Sequence, residues 1–127
     1  MQEKHLFEYA VLRVVPRVDR EEFINVGVIL YCQSQKFLKV LFHLNEEKLR
    51  IFCVETDAEE LNSYLLALEK ICLGGKEGGT IGELPLASRF RWLTATRSSV
   101  VQSSKVHPGL CNDAGETLAN LFEQLVN

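Results

Sequence analysis

Two neighbouring segments with alternating side chains constrain this chain more than any other feature. In residues 23–32 apolar side chains recur at every second position, at Ile24, Val26, Val28, Leu30 and Cys32. Residues 37–44 repeat the pattern at Leu38, Val40, Phe42 and Leu44. A period of two is typical of a β-strand with one face buried. Because only residues 33–35 separate the segments, the sequence predicts an antiparallel hairpin.

The register of this hairpin can be predicted by matching apolar partners, because opposed residues point to the same face. A register centred on Ser34 makes the opposed pairs on one face apolar: Leu30 with Leu38, Val28 with Val40, and Val26 with Phe42. A half-residue shift of the centre sets Leu30 against Lys39. We therefore predict the first register, with Val28 and Val40 as buried neighbours.

The rest of the chain predicts two more strands and four helices. One strand covers residues 6–15 and ends at Pro16, and the other covers residues 99–106, halted by the run at 107–109. Asn45 is expected to cap a helix at 46–53, and Thr56 with Glu59 to begin a longer helix ending at Gly74 and Gly75. Residues 74–82 predict a mobile loop or a turn, residues 87–95 a short helix, and Asp113 with Glu116 a last helix.

This order of elements predicts an α+β fold: one domain over residues 1–127, with a mostly antiparallel sheet of about four strands and helices packed on one face. The length of 127 residues, with 46% hydrophobic and 24% charged side chains, fits a single globular core. No apolar run is long enough to cross a membrane. Because the first ten residues lack the pattern of a signal peptide, we expect a cytoplasmic location.

The four cysteines predict reduced thiols, with no metal site and no cofactor. No C-x-x-C pair occurs, and the three histidines make no paired spacing with the cysteines. We expect Cys32, Cys53 and Cys72 to act as small core residues, the usual fate of a free cysteine. The residues indicate no oligomeric state.

The charge distribution gives the only local signal for binding. A net charge of −3 argues against binding nucleic acid over the whole surface, but residues 84–112 contain no acid. Arg97, Ser98 and Ser99 at one end of a predicted strand, and Lys105 and His107 at the other, are candidate anion- or partner-binding residues. The alternatives are a solvated basic face, or an Arg97 braced against Glu22 or Glu55.

Two further positions in the predicted strands need an explanation. Arg13 lies among apolar neighbours, so it either extends its charged end to solvent at a sheet edge or pairs with a carboxylate, and Glu22 is the acid we expect as that partner. Gly27 interrupts a strong strand, which is typical of a bulge or of a close approach. A helix packed on that face is favoured over a ligand.

Several of these positions together resemble an uncharacterised bacterial family, the domain of unknown function 3037. The resemblance covers residues 9–125 and is carried by the following residues: Tyr9, Arg13, Glu22, Phe23, Asn25, Gly27, Val28, Arg50, Trp92, Arg97, Ser98, His107, Pro108 and Gly109. It implies no established activity. It does imply a companion role beside a kinase-like protein that resembles the toxin HipA.

The sequence thus favours a non-catalytic accessory protein that binds another protein, with a HipA-like kinase as the partner that the resemblance implies. The alternative is a nucleotide or nucleic-acid binding module that uses the basic segment at 89–107, where Phe90 and Trp92 could stack a base. A hydrolase is the third interpretation. No nucleophile, P-loop or metalloprotease motif occurs, so enzymatic activity is not expected.

Overall fold

The structure, a computed structural model, describes residues 4–15, 23–52, 58–95 and 100–126. Its strands are β1 (His5–Val14), β2 (Ile24–Cys32), β3 (Phe37–Phe42), β4 (Val101–Ser103) and β5 (His107–Cys111). Its helices are α1 (Glu46–Phe52), α2 (Ala58–Leu73), α3 (Gly79–Gly82), α4 (Leu86–Leu93) and α5 (Ala114–Leu125). The predicted α+β class is confirmed.

The strands form one antiparallel sheet in the order β3-β2-β1, with β4 and β5 sharing the far edge of β1. Ser104 joins the two edge strands. Its Oγ accepts a hydrogen bond from the Val11 amide at 2.8 Å, and its own amide donates to the Val11 carbonyl at 2.8 Å. The Ser104 side chain therefore satisfies a backbone group of β1 where neither edge strand pairs with it.

The prediction of a single strand over 99–106 is wrong, because the run at 107–109 belongs to β5. Within β5, Pro108 lies opposite Glu8 and Gly109 lies opposite Phe7. The backbone groups of Val11 face this edge, so by alternation those of Phe7 pair with Gly109 and those of Pro108 point outward. A proline is tolerated at an edge because its missing N–H then breaks no ladder bond.

The predicted hairpin exists, but its predicted register is wrong by one residue. The structure pairs Ile29 with Val40 and Leu30 with Lys39, so Val28 and Val40 are both buried but on opposite faces. The turn has four residues, 33–36, and Lys36 takes φ of 51° while its amide donates to the Gln33 carbonyl at 3.1 Å. Because both faces of β2 are buried, apolar matching could not select the register.

Helices cover both faces of the sheet, and this corrects the prediction that they pack on one. On the closed face, α2 and α4 cover a core that includes Ala10, Leu12, Ile29, Tyr31, Val40, Leu65, Leu68 and Phe90. On the α5 face, α5 covers a second core that includes Phe7, Val28, Leu30, Cys32, Cys111, Ala114 and Leu118. The rings of Tyr31 and Phe90 stack on the closed face with centroids 5.2 Å apart.

The helix ends follow the predicted local chemistry in most places. The Asn45 side chain accepts from the Lys48 amide at 3.1 Å, and that of Asp113 accepts from the Glu116 amide at 3.1 Å. Gly74, at φ of 82°, follows the last residue of α2. The segment at 74–82, predicted to be a loop or a turn, contains a 3₁₀ turn followed by the short α3, which was not predicted. Thr56 lies outside the described residues.

Gly27 allows a close approach by the backbone of β3, one of the two explanations predicted for a glycine at this position. A Cβ atom there would lie 2.8 Å from the Leu41 carbonyl oxygen and 3.0 Å from the Phe42 Cβ. The register shifts at the same point, because Leu12 pairs with Gly27 while Arg13 pairs with Asn25. This β-bulge turns the Asn25 side chain toward the α5 face.

Cys32, Cys72 and Cys111 are free and buried, as expected of core thiols. Cys53 lies outside the described residues. Burial raises the pKa of Cys72 to about 12 and also raises the pKa of Cys111. Among the described residues, no helix is both long and apolar enough to span a membrane.

Candidate functional site

The predicted anion site is only partly within the described chain. Arg97, Ser98 and Ser99 lie outside it, so their part of the prediction remains untested. Lys105 and His107 are described, and both are exposed.

Arg89, in the same acid-free segment, is a structural brace. Its guanidinium donates to the carbonyl oxygens of Ile71, Cys72 and Leu84 at 2.8–3.0 Å. The bonds to Ile71 and Cys72 satisfy carbonyls in the last turn of α2, which have no partner within the helix, and the bond to Leu84 ties that end to the segment before α4. Gly74 makes room for this arrangement, because a Cβ atom there would lie 2.6 Å from the Arg89 Nη1.

Arg91 is also engaged, in a bidentate pair with Glu8. Its two Nη atoms lie 2.8 and 2.9 Å from the two carboxylate oxygens. The pair joins α4 to β1 at the border of the closed face. In the described part of the 89–107 segment, Lys105 and His107 are therefore the cations that pair with no carboxylate of the described chain.

His107 takes part in an aromatic contact that the sequence did not predict. It lies directly opposite Tyr9, and the two ring centroids are 5.3 Å apart. The serines at 103 and 104 do not form an anion cradle with it. The Ser103 Oγ donates to the Ser104 carbonyl, and the Ser104 Oγ donates to the Lys105 carbonyl, each at 2.9 Å.

Tyr9 and His107 belong to a strip on the α5 face that α5 leaves accessible. The helix packs on β2 and β3, and side-chain exposure increases toward β1 and the edge strands. We call the half-buried or exposed residues there the open strip: Tyr9, Arg13, Gln102 and His107. The described residues of β1, β4 and β5 that face this side include no carboxylate.

Arg13 is the most unusual residue of the open strip. Its guanidinium carbon lies 4.2 Å from the centroid of the Phe23 ring, and its Nε is buried without a hydrogen-bond partner. Glu22, the predicted partner, lies outside the described residues, and no carboxylate of the described chain pairs with Arg13. The structure thus presents a half-buried cation held by an aromatic ring.

Asn25, directly opposite Arg13, also carries a buried side-chain atom that makes no hydrogen bond. Its Nδ2 donates to the Leu125 carbonyl at the end of α5 at 3.1 Å, whereas its Oδ1 is buried without a partner. The bulge at Gly27 sets Asn25 under the end of α5.

Five of the described residues that carry the family resemblance meet on this face. Tyr9, Arg13, Phe23, Asn25 and His107 all take part in the contacts described above. Trp92 instead packs against the core of the closed face. Chemically, the open strip can accept an anion at Arg13 and a flat apolar group at Tyr9 and His107.

The described residues contain no group of three or more metal-ligating side chains. No curated protein and no solved structure matches the chain. A family model described as a protein of unknown function, DUF3037, matches residues 9–126, so the chain belongs to the DUF3037 family.

Proposed function

We propose that this protein is a non-catalytic binding partner of another protein, and that its open strip receives an acidic segment of that partner. The proposal places the protein in the bacterial cytoplasm, with a HipA-like kinase as the first partner to test. The observation that carries it is Arg13, which has an unbonded, buried Nε and no carboxylate partner in the described chain.

A half-buried guanidinium without a partner has lost part of its hydration and gained no ion pair. A carboxylate arriving from a partner would supply charge-assisted hydrogen bonds to it. The Phe23 ring at 4.2 Å holds the guanidinium plane and limits its rotation. Arg13 is therefore already ordered for an incoming acid, which lowers the entropy lost on binding.

Tyr9 and His107 extend the surface beyond Arg13. Tyr9 precedes Arg13 by four residues on β1, a separation of about 13 Å at the usual rise of a strand residue. A segment that reaches both sites is thus about four extended residues long. It would bear an acid at one end and an apolar or aromatic group at the other.

The experiment compares the affinity of the full chain for the HipA-like kinase with that of two arginine variants. In Arg13→Gln we expect affinity to fall at least about tenfold, because the partner's carboxylate loses its cation. In the matched control Arg91→Gln we expect unchanged affinity, because Arg91 is already paired with Glu8. Equal affinity of the Arg13→Gln variant and the wild type would disprove this role for Arg13.

A nucleotide or nucleic acid is the second candidate, favoured by the Tyr9 and His107 ring contact, which could stack a base. Titration with a single-stranded oligonucleotide at two salt concentrations separates the two. Phosphate binding weakens steeply as salt rises. We expect the oligonucleotide to bind no more tightly than the acidic segment of the partner protein at either salt concentration. A steeply salt-dependent affinity lost in Arg13→Gln would favour the second candidate.

A further inference from the structure

Two exposed leucines distinguish the outer face of α2 from that of α5. Leu66 and Leu73 are 42% and 74% exposed, whereas Leu61, Leu65 and Leu68 on the inner side of the same helix are buried. The exposed residues of α5 include no leucine: they are Glu116, Ala119, Asn120, Glu123 and Gln124. A helix that packs only against its own domain keeps its leucines on the covered side, so Leu66 and Leu73 are candidates for a contact outside the domain.

The two leucines belong to a line of exposed residues that has the spacing of a coiled-coil seam. From the first turn of α2 to its end, exposed residues recur at intervals of four, three, four and three positions: Glu59, Ser63, Leu66, Lys70 and Leu73. Residues with this spacing lie along one side of a helix, because two helical turns take about seven residues. We call these five residues the outer stripe. A second helix can pack along the outer stripe, with its own side chains between those of α2.

The charges of the outer stripe make it complementary to itself in the antiparallel orientation. Glu59 lies in the first turn of α2 and Lys70 in the last turn, and Lys70 pairs with no carboxylate of the described chain. Two antiparallel copies of α2 therefore bring Glu59 of each copy to Lys70 of the other, whereas parallel copies would set like charges against each other. The antiparallel orientation also places the positive end of each helix dipole beside the negative end of the other. The occupant that this charge pattern fits is a second copy of the chain.

We infer that the outer stripe of α2 joins two copies of this chain in an antiparallel homodimer, with the two-fold axis passing between Ser63 and Leu66. In this register Glu59 faces Lys70 of the second copy, and Leu66 faces Ser63 of the second copy. A large side chain thus meets a small one in both central layers, which lets the helices approach closely. Because one short helix per copy makes a small interface, the dimer dissociates on dilution. The contact lies outside the closed face and leaves the open strip of both copies accessible.

The first test measures self-association of the full chain by sedimentation equilibrium over a series of protein concentrations. We expect a reversible equilibrium between monomer and dimer in the wild type. Leu66→Lys sets like charges near the two-fold axis but keeps a good helix former, so it should raise the dissociation constant at least about tenfold. The matched control Leu110→Lys changes a leucine of β5 that is 64% exposed, and it should leave the dissociation constant unchanged. A wild type that stays monomeric at every concentration, or a Leu66→Lys variant that dimerises as tightly as the wild type, would overturn the inference.

An exchange of charges tests the antiparallel orientation. In Lys70→Glu and in Glu59→Lys, like charges meet at both ends of the contact, so each variant alone should dimerise about tenfold more weakly than the wild type. An equimolar mixture of the two variants has an opposite-charge pair at each end of the mixed dimer, and it should recover the affinity of the wild type. A mixture that associates as weakly as the separate variants would contradict the pairing of Glu59 with Lys70 of the second copy, and the antiparallel homodimer would be wrong.

Discussion

The closed face and the α5 face of the sheet share their strands but differ in how completely helices cover them. On the closed face, α2 and α4 bury a continuous core, and among the described residues a corner at Leu6, Pro108 and Leu110 remains exposed. On the α5 face, one helix covers β2 and β3 and leaves the open strip accessible. Within the described ranges, two buried side-chain atoms lack a partner, one on Arg13 and one on Asn25, and both lie on the α5 side. The face that the helices cover less completely is thus also the face that holds the buried polar atoms without hydrogen bonds.

The largest effect is expected where α5 does cover its face, at Val28, which is fully buried. Val28→Asp places an unpaired carboxylate in that core at a cost of several kcal/mol, comparable to the whole stability of a small domain. We expect loss of the cooperative thermal transition. Lys39→Asp, an exposed change on β3, is the control and should fold. A folded Val28→Asp protein would show that α5 does not seal this half of the face.

The next largest effect compares the two faces directly through their aromatic residues. Phe90, on the closed face, is fully buried and stacks on Tyr31, so Phe90→Ala should cost about 3–5 kcal/mol of unfolding free energy. Tyr9, in the open strip, is half-buried, so Tyr9→Ala should cost clearly less. Urea denaturation of both variants measures the two costs. Equal losses of unfolding free energy in the two variants would contradict the conclusion that helices bury the closed face more completely than the α5 face.

The sequence was sufficient for most elements but not for their pairing. Alternation identified β2 and β3, and capping residues identified α1 and α5, because these signals act within a few residues. The register of β2 against β3 goes with a four-residue turn in which Lys36 takes the αL conformation, whereas the bulge beside Gly27 shifts the register of β2 against β1. The length of the turn is hard to predict when β2 is buried on both sides, because the observed register also makes apolar pairs, such as Val28 with Leu41 and Ile29 with Val40.

The candidate site was less predictable because charge along the chain does not report pairing in space. Arg89 and Arg91 lie in an acid-free segment, yet they bond to the end of α2 and to Glu8 from distant parts of the chain. Arg13 was expected to be paired with an acid. Its importance depends on an aromatic contact with Phe23 and on the strand pairing with Asn25, which a sequence does not reveal.

A smaller effect concerns the thiol of Cys72, in the core of the closed face. Burial raises the pKa of Cys72 to about 12, whereas an unfolded cysteine titrates near 9. Over that interval the folded state keeps a proton that the unfolded state loses, so stability falls as pH rises. One such group contributes at most about 1.4 kcal/mol per pH unit. Urea denaturation between about pH 9 and pH 11 should give a shallower decline in Cys72→Ala than in the wild type; parallel declines would contradict it.

The smallest effect is expected for the ion pair of Arg91 and Glu8, which closes the border of the covered face. Arg91 keeps 57% of its side-chain surface exposed, so solvent screens the pair despite its bidentate geometry. A double-mutant cycle with Arg91→Gln and Glu8→Gln should therefore give a coupling of about 0.5–1 kcal/mol. This coupling should shrink as salt is added, because the charges are near the surface. A coupling above about 2 kcal/mol would mean that the pair is effectively buried. The buried part of the closed face would then include the Glu8 end of β1. The two faces would differ in cover more than the side-chain exposures of Arg91 and Glu8 indicate.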